Sequence, residues 1–226
     1  MSPGAIARMT GIPRSTVRGW VDGLVMPLPR PVDPSRAPTT PYVYLLATYL
    51  GDGHIAAWRK GLWHLRISCD ASYPRIVDEI AAAIMAVRGE GAVNRFVRPG
   101  TRCLVVQSLW KSWPVLLPQH GPGLKHTRAI ELAPWQREKT AAAPKAFVRG
   151  LIHSDGCRFI ARQRARGKVY AYVRYSFTNE SDDIRQLYCE HLDLLGIHWI
   201  QATRRQIDVN RRADVAKLDA FVGPKM

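Results

Sequence analysis

The sequence predicts an α+β fold, a duplicated α-β-β-α-β-β-α unit preceded by a small pair of helices. Three observations carry this expectation. The first is an internal repeat: Tyr42-Val-Tyr-Leu-Leu-Ala-Thr-Tyr-Leu-Gly-Asp-Gly53 matches Phe147-Val-Arg-Gly-Leu-Ile-His-Ser-Asp-Gly156, an apolar stretch closed by a small residue and Asp-Gly. The second is strict alternation of apolar and polar residues in the segments that follow each copy, as in half-buried strands. The third is apolar residues at helical spacing after each first hairpin, for example Ile76, Ile80 and Ile84.

Taken in order, residues 1–22 read as a helix-turn-helix. Ile6 and Met9 share one face of a first helix, Ile12, Val17 and Val21 close against them, and Gly11 supplies the turn. Arg14, Ser15, Thr16 and Arg18 then point outward from the second helix, which in such motifs enters the major groove. Residues 23–41 contain Pro27, Pro29, Pro31, Pro34, Pro38 and Pro41 and read as a semi-rigid linker. Residues 42–140 form the first half. After the repeat come a hairpin, His54 to Trp58 and Leu62 to Cys69, a helix from Tyr73 to Val87, and a second hairpin, Ala92 to Val97 and Arg102 to Leu109, turning at Pro99-Gly100. Loops after Trp113 and through Ala141–Pro144 make the connection. Residues 141–226 repeat the order: strands Cys157 to Arg162 and Val169 to Asn179, a helix from Asp182 to Leu195 stopped by Gly196, strands His198 to Arg204 and Gln206 to Asn210, and a last helix from Ala213 to Val222.

Lys and Arg number 33 against 18 Asp and Glu, a formal charge of +15. Such an excess points to a polyanion, because binding nucleic acid releases condensed counterions. At 46% hydrophobic residues the chain can fund a core, which excludes extended disorder. No apolar run approaches the ~20 residues of a membrane span, and the N-terminus lacks a signal-peptide pattern, so no membrane partner and a cytoplasmic location are expected. Cys69, Cys103, Cys157 and Cys189 are scattered without a C-x-x-C pair and read as buried reduced thiols rather than a zinc site.

With these residues in view, 42–226 resembles a single-chain, two-motif LAGLIDADG homing endonuclease, its motifs running from Leu45 to Gly53 and from Val148 to Gly156. Arg149 at the second motif position and Leu50 and His153 at the sixth depart from the pattern, and neither departure touches the aspartates. Ala47 and Gly51, like Gly150 and Ser154, are small residues four apart and so share a helix face, which lets two helices pack with backbones close. Asp52 and Asp155 would emerge together at the helix ends, an unfavourable pairing without a cation; hard oxygen donors suit Mg²⁺ or another divalent cation. The resemblance implies that carbonyls of Gly51 and Ser154 also reach the metals, and that two saddle-shaped antiparallel sheets lie along the major groove of double-stranded DNA. The polar residues of the alternating strands, His64, Arg66 and Ser68, Arg174, Ser176 and Thr178, and Gln206, Asp208 and Asn210, are then the base readers. Lys111, just after the last strand of the first half, and Arg211 with Arg212 at the matching place in the second, are candidates for charge near the reacting phosphate. The implied activity is a site-specific, metal-dependent double-strand DNA endonuclease, acting as a monomer because the repeat supplies both halves of a pseudo-twofold interface. A non-catalytic DNA-binding transcriptional regulator on the same fold is the alternative, and an RNA-binding splicing helper a third.

Overall fold

The computed structural model describes residues 1–22, 32–89, 93–165 and 167–223, and the chain divides into two units, Met1–Val32 and Asp33–Met226. The proline-rich residues 23–31, Ala92 at the start of one expected strand, and residues 90–91, 166 and 224–226 lie outside the described residues.

In the first unit, α1 (Pro3–Thr10) and α2 (Arg14–Val21) pack on each other. Ser2 caps α1 by accepting from the Ala5 amide, Pro3 occupies the first turn where no amide partner is needed, and Gly11 ends the helix at φ 70°. Val17 is buried as expected. Met9 and Val21, expected in the same contact, are exposed: two helices of eight residues have too little facing surface to cover both. Arg14, Ser15 and Arg18 are exposed and Thr16 half-buried.

The second unit begins inside the segment read as linker. Asp33 caps a turn at Pro34–Arg36, the Lys139 ammonium donates to the Ala37 carbonyl at 2.7 Å, and helix α3 runs Thr39–Asp52 with Pro41 tolerated in its first turn. Next come β1 (Gly53–Ala57), β2 (Trp63–Asp70), α4 (Pro74–Arg88), β3 (Val93–Val97), β4 (Cys103–Trp110) and the short α5 (Trp113–Leu116). A helix that periodicity did not reveal, α6 (Pro134–Ala142), replaces the expected connecting loop and crosses the boundary placed at residue 140. The second half follows as α7 (Pro144–Asp155), β5 (Gly156–Ala165), β6 (Lys168–Thr178), α8 (Asp182–Leu194), β7 (Ile200–Thr203), β8 (Gln206–Val209) and α9 (Arg212–Asp219).

Both sheets are antiparallel and identically ordered, β1-β2-β4-β3 and β5-β6-β8-β7. Identical order in two halves of one chain is the structural counterpart of the repeat. Leu65 and Ile67 of β2 and Tyr175 and Phe177 of β6 face the core, and the alternate residues take the other face. Helices α4 and α8 cover the core faces with Ile76, Ile80 and Ile84 and with Ile184, Tyr188 and Leu192. Between the halves α3 packs on α7, and every residue of α3 from Tyr42 to Leu50 is buried. An all-round apolar helix belongs in the centre of a fold. No helix among the described residues is long and apolar enough to cross a membrane.

Candidate functional site

The α3–α7 interface is set by glycine. A Cβ at Gly150 would lie 2.6 Å from Ala47 Cβ and 2.8 Å from the Tyr44 carbonyl, and one at Gly51 would overlap the Ser154 side chain. The helices therefore approach at the small residues expected from the motif. Glycines Gly53 and Gly156 have extended rather than left-handed backbones. They are required because a Cβ there would strike the preceding turn, 2.5 Å from Tyr49 Cα and 2.7 Å from Ile152 Cα. Each chain thus leaves its helix directly into a sheet and carries the preceding aspartate to the top of the pair.

The two carboxylates open into different surroundings. Asp155 lines a cleft of about 350 Å³ with Gly51, His54, Lys125, Arg128 and Asn179. Its Oδ2 accepts from Asn179 Nδ2 at 2.7 Å and lies 2.9 Å from the place a Gly51 Cβ would take, so Asp155 reaches across onto the partner helix. Asp52 lines a second cleft, about 420 Å³, with Ser154, His153, Cys69, Tyr73 and Arg102.

Lys125 is the residue that sequence reasoning missed. Its ammonium donates to the carbonyls of Tyr49 at 2.5 Å and Gly51 at 2.9 Å and stands 4.9 Å from the centroid of the Tyr49 ring. Burial lowers its pKa to about 8, against the pull of Asp155 and Asp52, which favour the ammonium. A built loop holds it there. Arg128 donates to the carbonyls of Gln119, Gly121, Pro122 and Gly123. Gln119 in turn donates to Gln136 Oε1 at 2.6 Å, and Gln136 to the Tyr42 hydroxyl at 2.7 Å. The connection between halves is thereby pinned to α3 by a buried polar network, and Lys125 is its delivered end. The signal available in sequence was the run Gly121-Pro-Gly-Leu-Lys125, echoed in shorter form by Gly223-Pro-Lys225. Asn179, at the end of β6, was likewise unassigned.

Lys111 is exposed in the turn after β4, Arg211 precedes α9, and Arg212 opens it, also exposed. None of the three lines either cleft. The lysine that does line the Asp155 cleft, Lys125, lies in the loop after α5. The Gly51 carbonyl, an implied metal ligand, is the one Lys125 engages.

Beneath the aspartates a second network joins the helices to the end of the chain. The Tyr44 hydroxyl meets His153 Nδ1 at 2.8 Å. Arg149 forms a paired bond with Glu79, Nε to Oε1 at 2.8 Å and Nη2 to Oε2 at 2.7 Å, and also donates to the Phe221 and Val222 carbonyls. The motif departures on α7, Arg149 and His153, thus fasten that helix to α4 and to the segment after α9.

On the sheet faces opposite the core, the register aligns His54, Arg66, Gln107 and Asn94 in one row across all four strands of the first sheet. Arg66 and Ser68 are half-buried there, and Thr178 is exposed with Gln206 and Asn210 half-buried in the second. Three of the expected readers are covered by their own neighbours. His64 is 8% exposed, enclosed by Gln107, which it meets at 2.8 Å, Arg66 and the Trp58 ring. Ser176 is 7% exposed and Asp208, which accepts from Gln206, 4%. These three lie on the right face, but short or inward side chains between larger ones do not project from a twisted sheet. Arg174 is half-buried there. The four cysteines are free, and Cys157, expected to be buried, is exposed.

No family profile and no curated protein sequence matches the chain. Solved structures do. The LAGLIDADG meganuclease I-AabMI bound to uncleaved DNA aligns at TM-score 0.51 and 12% identity over 80% of this chain and 82% of that one. Mesophilic variants of the homing endonuclease I-DmoI align at TM-score 0.50 and 11% identity over 84% and 97%. Full-length DUF199/WhiA from Thermatoga maritima aligns at TM-score 0.50 and 15% identity over 84% of this chain and 59% of that one. The chain has the fold of the LAGLIDADG homing endonucleases, with both halves in one polypeptide.

Proposed function

We propose that the chain binds double-stranded DNA along its two sheets and hydrolyses one phosphodiester bond in each strand at a defined site, with a divalent cation. The observation that carries this reading is the pair of glycine-packed helices presenting Asp52 and Asp155 at one end, with a buried ammonium on the carbonyl beside them. The similar structures of I-AabMI with uncleaved DNA and of I-DmoI with DNA and Mn support it.

The donor set fits a hard cation of the Mg²⁺ or Mn²⁺ kind. Asp155 lies against Gly51 across the helix pair and lines one cleft with it. No group of three His, Cys, Asp or Glu side chains that could hold a metal ion occurs among the described residues. Mg²⁺ commonly takes only one or two carboxylates and completes its shell with water and phosphate, so one aspartate with one carbonyl in each cleft, Asp155 with Gly51 and Asp52 with Ser154, fits it. A cation held there supplies Lewis acidity to the phosphate and a more acidic water. Asp52 and Asp155 hold charge in place, Asn179 fixes the Asp155 carboxylate, and the Lys125 ammonium offers positive charge where negative charge develops on the phosphate. Arg66, Arg174, Gln206 and their neighbours on the sheet faces provide phosphate and base contacts.

The test is selection of a high-affinity duplex from a random library, followed by plasmid cutting at that site with Mg²⁺ or Mn²⁺. Linear product supports the reading. Tight binding without cutting would establish instead the second reading, a DNA-binding transcriptional regulator, which the separate helical pair at residues 1–22 favours.

A further inference from the structure

Between Gly156 and Thr178 the chain carries Arg158, Arg162, Arg164, Arg166, Lys168 and Arg174 and no acidic residue. Strands β5 and β6 pair throughout this span, from Gly156 with Phe177 to Ala165 with Lys168, whereas β8 joins β6 only from Tyr175 to Thr178. From the Phe159–Arg174 pair outward the hairpin is two strands alone. The first half has no such extension, because every β2 residue that pairs with β1 is also paired by β4.

A two-stranded ribbon is marginal in water by itself. This one leaves Phe159, Ile160, Val169, Tyr170 and Tyr172 exposed. The Tyr170 and Tyr172 rings stack 6.3 Å apart and 9° from parallel, and strand alternation places them on the face that carries Arg174 and Ser176. Arg174 Nε, at the ribbon's root, is buried with no hydrogen-bond partner among the described residues. The root is anchored on the opposite face, where Arg158 pairs with Asp219 at 2.7 Å. Arg162, Arg164 and Lys168 are exposed; Lys168 shares the tyrosine face, whereas Arg162 and Arg164, paired with Ala171 and Val169, lie on the face of Arg158.

We propose that this arm clamps the flank of the DNA duplex beyond the second half's sheet, so that the bound site is extended on one side of the cleavage centre only. The inference rests on the DNA-binding reading above and adds a lopsided substrate to it. The occupant is a polyanion because beyond the Arg158–Asp219 pair the arm is basic with no acidic residue of its own, and its tyrosine face continues the sheet face assigned to DNA. A two-stranded ribbon also fits the major groove. The seven pairs from Phe159–Arg174 to Ala165–Lys168 reach about 23 Å at ~3.3 Å per residue, which is about six or seven base pairs. Along that length Lys168, and Arg174 at the root, meet phosphates from the same face as the tyrosines, which supply apolar ring surface to thymine methyl groups and hydroxyls to base edges; Arg162 and Arg164 add positive potential from the other face.

The test uses the full chain on its selected duplex with Ca²⁺, footprinted by hydroxyl radical. Wild type is compared with Lys168→Gln/Tyr170→Ser/Tyr172→Ser on the face offered to DNA and, separately, with Arg162→Gln/Arg164→Gln on the other. Scoring by difference cancels any protection from residues 1–32. The first variant should lose about six base pairs of protection at one end only and retain the rest, with its salt slope falling by about one, and the second should keep the footprint. The altered side chains are exposed, and unchanged melting temperatures confirm the fold. Protection unchanged in the first variant, or lost evenly from both ends, overturns the arm. If wild type binds and cuts while the footprint ignores the arm, this inference fails and the proposed function stands. Binding without cutting removes the nuclease reading and leaves the arm to be judged by the same footprint; no DNA binding at all overturns both.

Discussion

Asp52 and Asp155 stand at helix C-terminal ends, where backbone carbonyls already carry partial negative charge, and near one another. Lys125 brings positive charge into the Asp155 cleft. Asp52→Asn and Asp155→Asn nearly preserve volume, so the helix pair survives while the charge that holds a cation is lost. Each should abolish linearisation of the plasmid and leave DNA affinity in Ca²⁺ unchanged or slightly improved; wild-type cutting by either variant refutes the assignment. Lys125→Met removes an ammonium from the Asp155 cleft alone. By analogy with the loss of one charge-stabilising donor, the break on one strand should slow about 10²–10³-fold, so nicked circles accumulate on a gel. Equal slowing of both strands would show that the two clefts do not act separately. The same residue sets a pH signature in metal-free protein. Its folded pKa, about 8, lies below the ordinary 10.5, so the buried ammonium costs stability in full below pH 8. That cost fades as the pH rises towards 10.5, because over this window the unfolded chain keeps a proton the folded one has released. The melting-temperature advantage of Lys125→Met over wild type should therefore shrink from pH 7 to pH 10.5, and growth of that advantage would reverse the sign.

At the scale of elements, the packing of α3 on α7 decides whether the aspartates meet. Gly150→Ala places a methyl against Ala47 Cβ and the Tyr44 carbonyl, neither of them the loose end of a flexible side chain. Overpacking of this kind costs about 1–3 kcal/mol, and urea titration should show it together with reduced cutting; a neutral result would mean that the helices separate readily. This interface was legible in the sequence because its cause is local, small residues four apart before Asp-Gly. So were both sheets, whose alternation of Leu65 and Ile67 with Arg66 and Ser68 reports a buried and an open face directly. Helix α6 was not, for a physical reason: its buried positions are Gln136 and Thr140, so it shows no apolar stripe, and it is held by hydrogen bonds to Tyr42 and Gln119 together with the Trp135 ring against Tyr42. Lys125 was hidden for the same reason. Its place depends on Arg128 gathering the loop carbonyls and on contacts with Tyr49 and Gly51, some 75 positions away, which no periodicity records. The covered readers His64, Ser176 and Asp208 show the converse limit: alternation names the face but not which side chain stands clear of it.

For the whole molecule, the repeat supplies in one chain the pseudo-twofold pair of halves that a one-motif protein would obtain by dimerising, so light scattering of the DNA-free protein should report a monomer. The Met1–Val32 unit is separate from the unit that holds both aspartates, and this separation makes its contribution testable. A second DNA-contacting module on a tether raises the effective concentration of the first without entering its chemistry. Arg14, Ser15 and Arg18 are exposed on α2, as a helix offered to a groove would need. Deleting residues 1–32 should therefore weaken binding to the selected site about tenfold or more and lower the salt slope, because fewer phosphates are neutralised. Single-turnover cutting at saturating protein should stay within about twofold of wild type, since both aspartates, Lys125 and the two sheets remain. Gel-shift titration and quenched-flow cutting on one duplex measure the two quantities separately. Unchanged affinity would remove α1 and α2 from DNA recognition. Unchanged affinity with slowed cutting would place them instead in support of the catalytic unit, a role that tethering does not provide.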